Sequence, residues 1–202
     1  MTGARRSRGP GPAQAQRSAQ TREAVIAATV ELLGEGGPDA ATAAAISERS
    51  GVSWGGIQHQ FGHKDAVLDA ALVWLIADLA QEWSLPEPVP TDLDDRARAL
   101  VDLVWRMVRH RSYPALMALL RHRATGVADD TVMALRAGAT RTTRELFADL
   151  DLDQATVDTV DAFCFAAVGG IADQQRLATI DARFTARSLQ LVADAIATEL
   201  RA

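Results

Sequence analysis

The side chains best suited to recognising another molecule by hydrogen bonding lie together in one short segment. Gln58, His59 and Gln60 follow one another there, shortly after Trp54. Gln can form paired hydrogen bonds with adenine, and His can donate to the acceptors of guanine in the major groove of DNA. The segment therefore predicts recognition of base edges rather than a covalent reaction.

His59 and His63 are four residues apart, a spacing that could hold a metal ion on a continuous helix. Gly62 lies between them and is expected to end the helix, so the two imidazoles should not converge. We predict no metal site and no cofactor.

Cys164 is the single cysteine, so the chain cannot form an internal disulfide. Its neighbours Phe163 and Phe165 indicate a buried helix, in which a small inert thiol is the expected role. The sequence also lacks a phosphate-binding glycine loop, paired cysteines and a nucleophile elbow. We therefore predict that the protein is not an enzyme.

Two short helices joined by a tight turn are predicted to position the recognition segment. Thr42 can cap a helix over residues 43–50, and Ser53 can cap the helix that follows. Gly51 stands between them, where the backbone must take a positive φ. Residues 42–61 therefore predict a helix-turn-helix, whose second helix commonly enters the major groove of DNA.

Two adjacent glycines, Gly55 and Gly56, lie inside the second helix. Each lowers helix propensity by up to about 1 kcal/mol, so a structural reason for both is needed. A close approach of the backbone to a DNA phosphate supplies one, and a small helical corner without a role in DNA binding is the alternative. Ile57 is expected to point at the first helix.

Apolar residues recur at helical spacing through most of the remaining chain, and no stretch alternates as a strand would. Residues 34–38, Gly-Glu-Gly-Gly-Pro, should break the first helix. The last three helices are expected over about 130–150, 154–179 and 181–201. We predict an all-α fold of about nine helices.

Charge is distributed unevenly along the 202 residues. The whole chain has a net charge of −5, but residues 1–64 hold seven basic and five acidic groups. The first 22 residues contain no acidic residue and five arginines: Arg5, Arg6, Arg8, Arg17 and Arg22. A basic end on an acidic body is expected when one end meets phosphate, although a basic tail can also serve only to stay solvated.

Hydrophobic residues make up 48% of the chain and charged residues 23%, the balance of an ordinary water-soluble protein. No stretch approaches the roughly 20 uninterrupted apolar residues of a membrane helix. The N-terminal residues lack the apolar core of a secretory signal. We predict a cytoplasmic protein without a membrane partner.

The helix-turn-helix and its flanks resemble the DNA-binding domain of TetR-family regulators. The resemblance covers about residues 19–79 in detail, and beyond residue 80 only the general layout matches. It rests on Thr21-Arg22-Glu23, on Thr42 with Ile46 four residues later, and on the run Gly51-Val52-Ser53-Trp54-Gly55-Gly56-Ile57-Gln58-His59-Gln60-Phe61-Gly62-His63-Lys64-Asp65.

Composition and resemblance together imply a disordered basic arm over residues 1–18, a three-helix DNA-binding domain over 19–79 and a helical ligand-binding and dimerisation domain over 80–202. The resemblance implies a homodimer, paired through the last two helices, that binds a palindromic operator in double-stranded DNA. It also implies a small-molecule inducer that weakens DNA binding. Repression rather than activation follows only from what most relatives do.

The resemblance also implies a set of DNA-contacting residues. Thr42 would meet phosphate at the start of its helix, and Lys64 would meet the DNA backbone at the start of the next helix along the chain. The residues that would contact bases or nearby backbone are Ser53, Trp54, Gly55, Gly56, Gln58, His59 and Gln60.

The sequence departs from the commonest family pattern in three ways. Gln58 stands where tyrosine is usual, Trp54 replaces a basic or small residue, and Ser47 and Ser50 stand where alanines are common. Residues 53–61 carry no formal charge, so electrostatic affinity must come from elsewhere, and the arginine-rich arm is the predicted source. The missing charge also leaves open a helical protein-interaction module that has lost DNA binding.

In family members the ligand cavity lies among the middle helices. The bulky residues there are candidate pocket walls, with core filling as the alternative: Trp105, Met107, Tyr113, Met117 and Phe147. The mainly apolar surroundings with scattered arginines fit a hydrophobic molecule, with or without an acidic group.

Two further segments have both a functional and a structural interpretation. Arg121-His122-Arg123 could line the ligand cavity as an anion site, or could end a helix and pair with Asp129 or Asp130. Gly169-Gly170 could allow two helices to approach closely in a dimer, or could kink their own helix.

Overall fold

The structure of the protein, a computed structural model, is described for residues 12–81, 83–123 and 130–201. Within those ranges every regular element is a helix, which confirms the all-α prediction. Nine helices occur there: α1 (Pro12–Ala40), α2 (Ala43–Ser50), α3 (Trp54–Phe61), α4 (Lys64–Ala80), α5 (Leu93–Arg109), α6 (Tyr113–Arg123), α7 (Asp130–Leu146), α8 (Gln154–Arg176) and α9 (Ala182–Glu199).

The first helix begins at Pro12, so the expectation of disorder is wrong for residues 12–18. Proline suits the first position of a helix, and the alanines and glutamines that follow have high helix propensity. The periodicity of apolar residues could not reveal this part of α1, because residues 13–20 are exposed on all sides. Residues 1–11, with Arg5, Arg6 and Arg8, lie outside the described residues.

The regular path of α1 is interrupted at two of its glycines. Gly36 has φ −152° and ψ 19°, and Gly37 has φ 68° and ψ −162°. The positive φ of Gly37 is a conformation that side chains disfavour, so a glycine is needed there. The predicted break within residues 34–38 is confirmed.

The chain forms two compact units. The first comprises residues up to Leu75 together with Ala115–His122, and the second comprises Ile76–Pro114 and the residues from Arg123 onward. The boundary therefore lies four residues before the predicted position 79, and most of α6 joins the first unit rather than the C-terminal domain. The Ala118 methyl lies 3.8 Å from the position of a Cβ added to Gly37, a packing contact that sequence order does not reveal.

The core of the first unit consists of the apolar faces that the sequence spacing predicts. Ile46 of α2 and Ile57 of α3 are both buried. Around them lie the buried residues of α1 and α4: Val25, Ala28, Leu32, Leu33, Val67, Leu68, Ala71, Leu72 and Leu75. The long helix α1 and the short helices α2 and α3 thus share one core with α4 up to Leu75.

The second unit is built on α5, which packs against α8 and α9. The indole of Trp83 ties the segment before α5 to the other helices. Its Nε1 donates a hydrogen bond to Thr142 Oγ1 at 2.6 Å, and its ring stacks on Phe165 at 5.8 Å between centroids. The buried side of α5 contains Ala97, Leu100, Val101, Leu103, Val104, Met107 and Val108.

Cys164 is fully buried in α8. Burial raises the pKa of its thiol to about 12, because the charged thiolate would lose its hydration. The group therefore stays a neutral thiol near neutral pH. This agrees with the predicted role as a small inert side chain.

One helix among the described residues, α8, is long and apolar enough to cross a membrane by length and composition. A core helix of a water-soluble protein satisfies the same criterion, so the finding is weak evidence for a span. Asp158 and Asp161 lie inside the helix.

A buried arginine joins the start of α5 to the end of α7. The side chain of Arg96 is 8% exposed, and its guanidinium binds both carboxylate oxygens of Asp149 and the carbonyl of Thr91. The guanidinium also lies 5.9 Å from the ring centroid of Phe147. The hydrogen bond from Arg96 lowers the pKa of the Asp149 carboxyl.

We expect Asp149→Asn to lower the free energy of unfolding at about pH 7, because Arg96 would stay buried without a counter-charge. The pKa of Asp149 lies below its ordinary value of 3.8. The contribution of Asp149 to the free energy of unfolding is therefore fully present above pH 3.8 and is lost as the pH falls through the lowered pKa. The difference from the wild type should shrink in urea unfolding at about pH 3.

Asp151→Asn is the matched control. Asp151 is exposed and makes no side-chain hydrogen bond or ion pair within the described ranges. Equal losses in the two variants, or a difference that does not change with pH, would contradict the role assigned to Asp149.

Candidate nucleic-acid interface

The helix pair α2 and α3 is held by caps at both ends. Thr42 Oγ1 accepts a hydrogen bond from the amide of Ala45 at 3.1 Å, and Ser53 Oγ accepts one from the amide of Gly56 at 3.3 Å. Gly51 ends α2 with φ 68°, a left-handed conformation that favours glycine. The predicted caps and turn of the helix-turn-helix are therefore present, with α2 beginning and ending where the sequence predicts.

Two serines connect α2 to the turn. Ser47 Oγ donates to the carbonyl of Val52 at 2.6 Å, and the amide of Val52 donates to Ser50 Oγ at 3.3 Å. These bonds satisfy both backbone groups of the residue between the helices. Ser47 and Ser50, which depart from the commonest family pattern, thus have a structural explanation.

Arg49 attaches α2 to α1. Its guanidinium binds both carboxylate oxygens of Glu35, at 2.8 and 3.0 Å, and one of Glu31 at 3.3 Å. The hydrogen bond with Arg49 lowers the pKa of Glu35, and the pKa of Arg49 is correspondingly raised. Because two carboxylates neutralise it, Arg49 is not a free cation for an external anion.

The exposed face of α3 follows from the position of Ile57, which is 1% exposed. Residues on a helix are rotated by about 100° from one to the next, so Gly55 and His59 lie opposite Ile57 and Gln58 lies beside them. These three are exposed, whereas Trp54 and Gln60 flank Ile57 and are half-buried. The predicted recognition residues therefore divide into an exposed group and a flanking group.

The side chains of Gln58 and His59 make no hydrogen bond within the described ranges. A neutral imidazole and a primary amide together offer donors and acceptors of both kinds. Thr42 and Ser53 are exposed as well, but their oxygens already accept the capping hydrogen bonds. Gln60 also makes no side-chain hydrogen bond within the described ranges but is half-buried, so the fully exposed free polar groups of α3 are those of Gln58 and His59.

Gly55 and Gly56 are not equivalent. A Cβ added to Gly55 would meet no atom within 4 Å. At Gly56 it would come within 3.3 Å of Val52 Cγ1 and 3.4 Å of Ser53 Oγ. Packing against the turn therefore explains Gly56, while nothing inside the protein explains Gly55.

Two cations border α3. The guanidinium of Arg22 lies 4.4 Å from the ring centroid of Phe61, the last residue of α3, in a cation–π contact. Lys64 is the first residue of α4 and is half-buried. Neither cation forms an ion pair in the part of the chain that the structure describes. Arg17, also exposed on α1, donates from Nε to the carbonyl of Ala13 at 3.2 Å.

The geometry separates His59 from His63. Gly62 ends α3 with φ 85°, and His63 Nδ1 accepts a hydrogen bond from the amide of Ala66 at 3.2 Å, which caps α4. The break that was expected to keep the two imidazoles apart is present. No group of three or more His, Cys, Asp or Glu side chains converges within the described residues.

The predicted pocket walls do not form one lining. Met107 and Phe147 are buried in the core of the second unit, at 6% and 1% exposure, and Met117 belongs to α6 in the first unit. Trp105 and Tyr113 are half-buried and each lies under an arginine, at 5.5 Å from Arg109 and 5.8 Å from Arg176 respectively.

Two cavities of the second unit have other linings. One of about 680 Å³ lies along α7 beside the start of α8. The other, of about 260 Å³, is lined by Arg109, Ala172, Gln175 and Arg176. Arg121 and His122 are exposed at the end of α6, whereas Asp129 and the side chains of Arg123 and Asp130 lie outside the described residues.

Comparison with known proteins relates the helix-turn-helix to a family. Residues 25–71 match the family model described as bacterial regulatory proteins, tetR family. The HTH-type transcriptional regulator BetI of Stenotrophomonas maltophilia (strain R551-3) is 35% identical over 82 residues, which are 40% of this chain and 42% of that protein. BetI 1 of Chromohalobacter salexigens is 43% identical over 58 residues, 29% of either chain. This chain thus spans less than half the length of the curated relatives it matches.

The fold extends beyond the matched segment. The crystal structure of a transcriptional regulator from Rhodococcus sp. Rha1 aligns with a TM-score of 0.65 at 24% identity, over 87% of this chain and 95% of that one. At this identity the likeness concerns the fold, an N-terminal helix-turn-helix followed by further helices.

The contact between Arg22 and Phe61 was not predicted from the sequence. The two residues are far apart in the chain, and Arg22 was named only among the N-terminal arginines and in the motif Thr21-Arg22-Glu23. The division of the α3 side chains by exposure, in contrast, follows from the helical period once Ile57 is taken as the buried residue.

We expect Gly55→Ala to raise the free energy of unfolding by about 0.5–1 kcal/mol, because alanine has the higher helix propensity and the site is open. Gly56→Ala should raise the free energy of unfolding by less, because the added methyl would contact Val52 and Ser53 closely. Urea unfolding of both variants measures the difference. Gly34→Ala, at another open glycine, serves as the control, and equal gains at positions 55 and 56 would contradict the packing explanation.

Proposed function

We propose that this chain, which belongs to the TetR family of bacterial regulatory proteins, is a DNA-binding transcriptional regulator that acts as a repressor. It binds a palindromic operator as a homodimer in the cytoplasm, and a small-molecule effector releases it. The family is one of transcriptional regulators and is generally non-enzymatic.

The observation that carries this proposal is the exposed face of α3. Gln58 and His59 present free hydrogen-bond donors and acceptors there, beside Gly55. No packing contact among the described residues requires a glycine at position 55. An α-helix fits the major groove, and a residue without a side chain lets the helix approach the DNA closely. Gly55 is therefore the position at which DNA would come nearest to the backbone.

The affinity comes from groups that surround α3 rather than from α3 itself. Thr42 and Ser53 cap the N-termini of α2 and α3, whose amides favour a phosphate. Lys64 and Arg22 add positive charge at the other end of α3. Trp54 and Gln60, half-buried beside Ile57, contact DNA from the edges of the helix on this proposal, while Gly56 supports the turn.

The homodimer forms through α8 and α9. Phe163 of α8 is 45% exposed, and Phe184 and Leu191 of α9, seven residues apart on one face, are 67% and 53% exposed. Only 28% of the most apolar window of α8 is buried. Large apolar side chains exposed on both helices favour an interface there. Gly170 is exposed on the same helix, and α8 continues through it without a break, which favours close helix approach over a kink.

We expect Gln58→Ala to weaken binding to a duplex enriched from a random library by the wild-type protein. The loss should be about 5- to 150-fold, the 1–3 kcal/mol of a paired contact to a base. It should be smaller on duplexes altered at the base that Gln58 contacts. Fluorescence anisotropy at fixed salt measures both.

Gln81→Ala is the matched control, since Gln81 is exposed and lies outside the helix-turn-helix. A loss for Gln58→Ala that is equal on all duplexes would assign the side chain to phosphate. If the wild-type protein enriches no duplex, the regulator proposal fails, and the helical interaction module that has lost DNA binding replaces it.

We expect Leu191→Arg to convert the protein from a dimer to a monomer, because a guanidinium replaces an apolar contact at the proposed interface. Light scattering after size-exclusion chromatography gives the mass. Val73→Arg, at an equally exposed apolar residue of α4, should remain dimeric. A dimeric Leu191→Arg protein, or a monomeric wild type, would contradict the interface.

A further inference from the structure

A groove of about 680 Å³ runs along one face of α7 in the second unit. Its volume is that of a small-molecule site. The residues of α7 that line it recur at helical spacing and include Arg136, Thr140, Arg141 and Arg144, and the start of α8 closes one side with Gln154 and Asp158. No predicted pocket wall belongs to this lining.

Three arginines line this groove. Arg141 and Arg144 are three residues apart and are therefore neighbours on the helix surface, whereas Arg136 lies five residues before Arg141, about 140° further round the helix. Like charges at the spacing of Arg141 and Arg144 repel one another and destabilise an isolated helix. A face of this kind gains stability when an anion binds.

No carboxylate forms an ion pair with these arginines within the described residues, although the charge of Arg136 acts on Asp161 of α8. Arg144 donates to the carbonyl of Leu152 at 3.2 Å and to Gln154 Oε1 at 2.7 Å, which are neutral acceptors. Arg136 and Arg141 are exposed and make no hydrogen bond or ion pair within the described residues. Of the two acidic residues in the lining, Asp158 accepts from Gln154 Nε2 at 2.9 Å, and neither it nor Glu145 forms an ion pair with an arginine there.

Apolar surface borders the same arginines. Met133 is 53% exposed, and Ala137 lies between Arg136 and Arg141 on the helix face. Ala148 provides a further apolar patch at the other end of the groove. A ligand that matched only the charges would leave the methionine in water, so the lining fits a molecule with an apolar body and an acidic group.

We infer that this groove binds an amphipathic organic anion. The acidic group is held by the guanidinium groups of Arg136 and Arg141, which can bind a planar anion through two parallel hydrogen bonds. The apolar body lies along Ala137 towards Met133. That this anion is the effector of DNA binding rests on the proposed function, but the binding site itself does not.

The groove is connected to α8 through its floor. Thr140 Oγ1 donates to Asp161 Oδ2 at 3.2 Å, and Thr143 Oγ1 donates to Asp161 Oδ1 at 2.5 Å. A ligand against Thr140 and Gln154 therefore touches the packing of α7 on α8. Since α8 is a helix of the proposed dimer interface, occupation of the groove can act on that interface.

The test uses 8-anilinonaphthalene-1-sulfonate, an aromatic anion whose fluorescence rises when its rings leave water, on the full chain. We expect Arg136→Gln with Arg141→Gln to weaken its binding at least tenfold. The matched control, Arg111→Gln with Arg183→Gln, removes two exposed arginines outside the groove and should bind as the wild type does. Nile red, an uncharged dye, should bind all three proteins equally, and circular dichroism checks that they are folded.

Equal affinity of the anionic dye for the groove variant and the wild type would overturn the inference. Binding of the enriched duplex is measured on the same proteins and should change less than twofold. If the duplex binds but the affinity of the anionic dye does not depend on the two arginines, only the groove inference is overturned. If no duplex binds but the dye affinity does depend on the arginines, the regulator proposal is overturned and the groove inference is supported.

Discussion

The chain must turn sharply between α2 and α3 within three residues, and the candidate DNA interface depends on this constraint. Gly51 takes the left-handed conformation that permits the turn, and Ser47 and Ser50 hydrogen-bond the backbone of Val52. Ser53 then caps the next helix. All of these interactions involve the backbone of the turn. The orientation of α3 is therefore independent of the side chains that α3 exposes, and those side chains are free to serve recognition.

Selection of a sequence and attachment to DNA are separate tasks in this arrangement. The face of α3 carries amide, imidazole and glycine surface without a formal charge, which suits hydrogen bonding to base edges. Positive charge lies beside it, at Lys64 and at Arg22 on the ring of Phe61. Arg49 does not add to this charge, because Glu31 and Glu35 neutralise it. The proposed homodimer would double every such contact and so offset the weak electrostatics of a single α3.

The second unit holds its helices together with buried polar groups and leaves apolar surface outside. Thr142 receives the indole hydrogen bond of Trp83, and the next residue, Thr143, bonds to Asp161 of α8. Desolvation raises the pKa of the Asp161 carboxyl, while the two threonine hydroxyls act in the opposite direction. The same α7 thus presents threonines to the interior and arginines to the groove. The candidate anion site is therefore bordered by the start of α8, one of the two helices proposed for dimerisation.

The sequence by itself determined the parts that depend on neighbours along the chain: nine helices, the caps at Thr42 and Ser53, the turn at Gly51 and the break at Gly36-Gly37. Backbone propensities and capping act over four residues or fewer, so local patterns suffice there. Tertiary structure alone decided what depends on residues distant in sequence. Three features require two segments of the chain to meet in space. They are the membership of Ala115–His122 in the first unit, the contact of Arg22 with the ring of Phe61, and the arginine-lined groove of α7. The extension of α1 back to Pro12 is a separate case. Its residues have high helix propensity, but no face of this part of the helix is buried, so the sequence shows no helical period of apolar residues there.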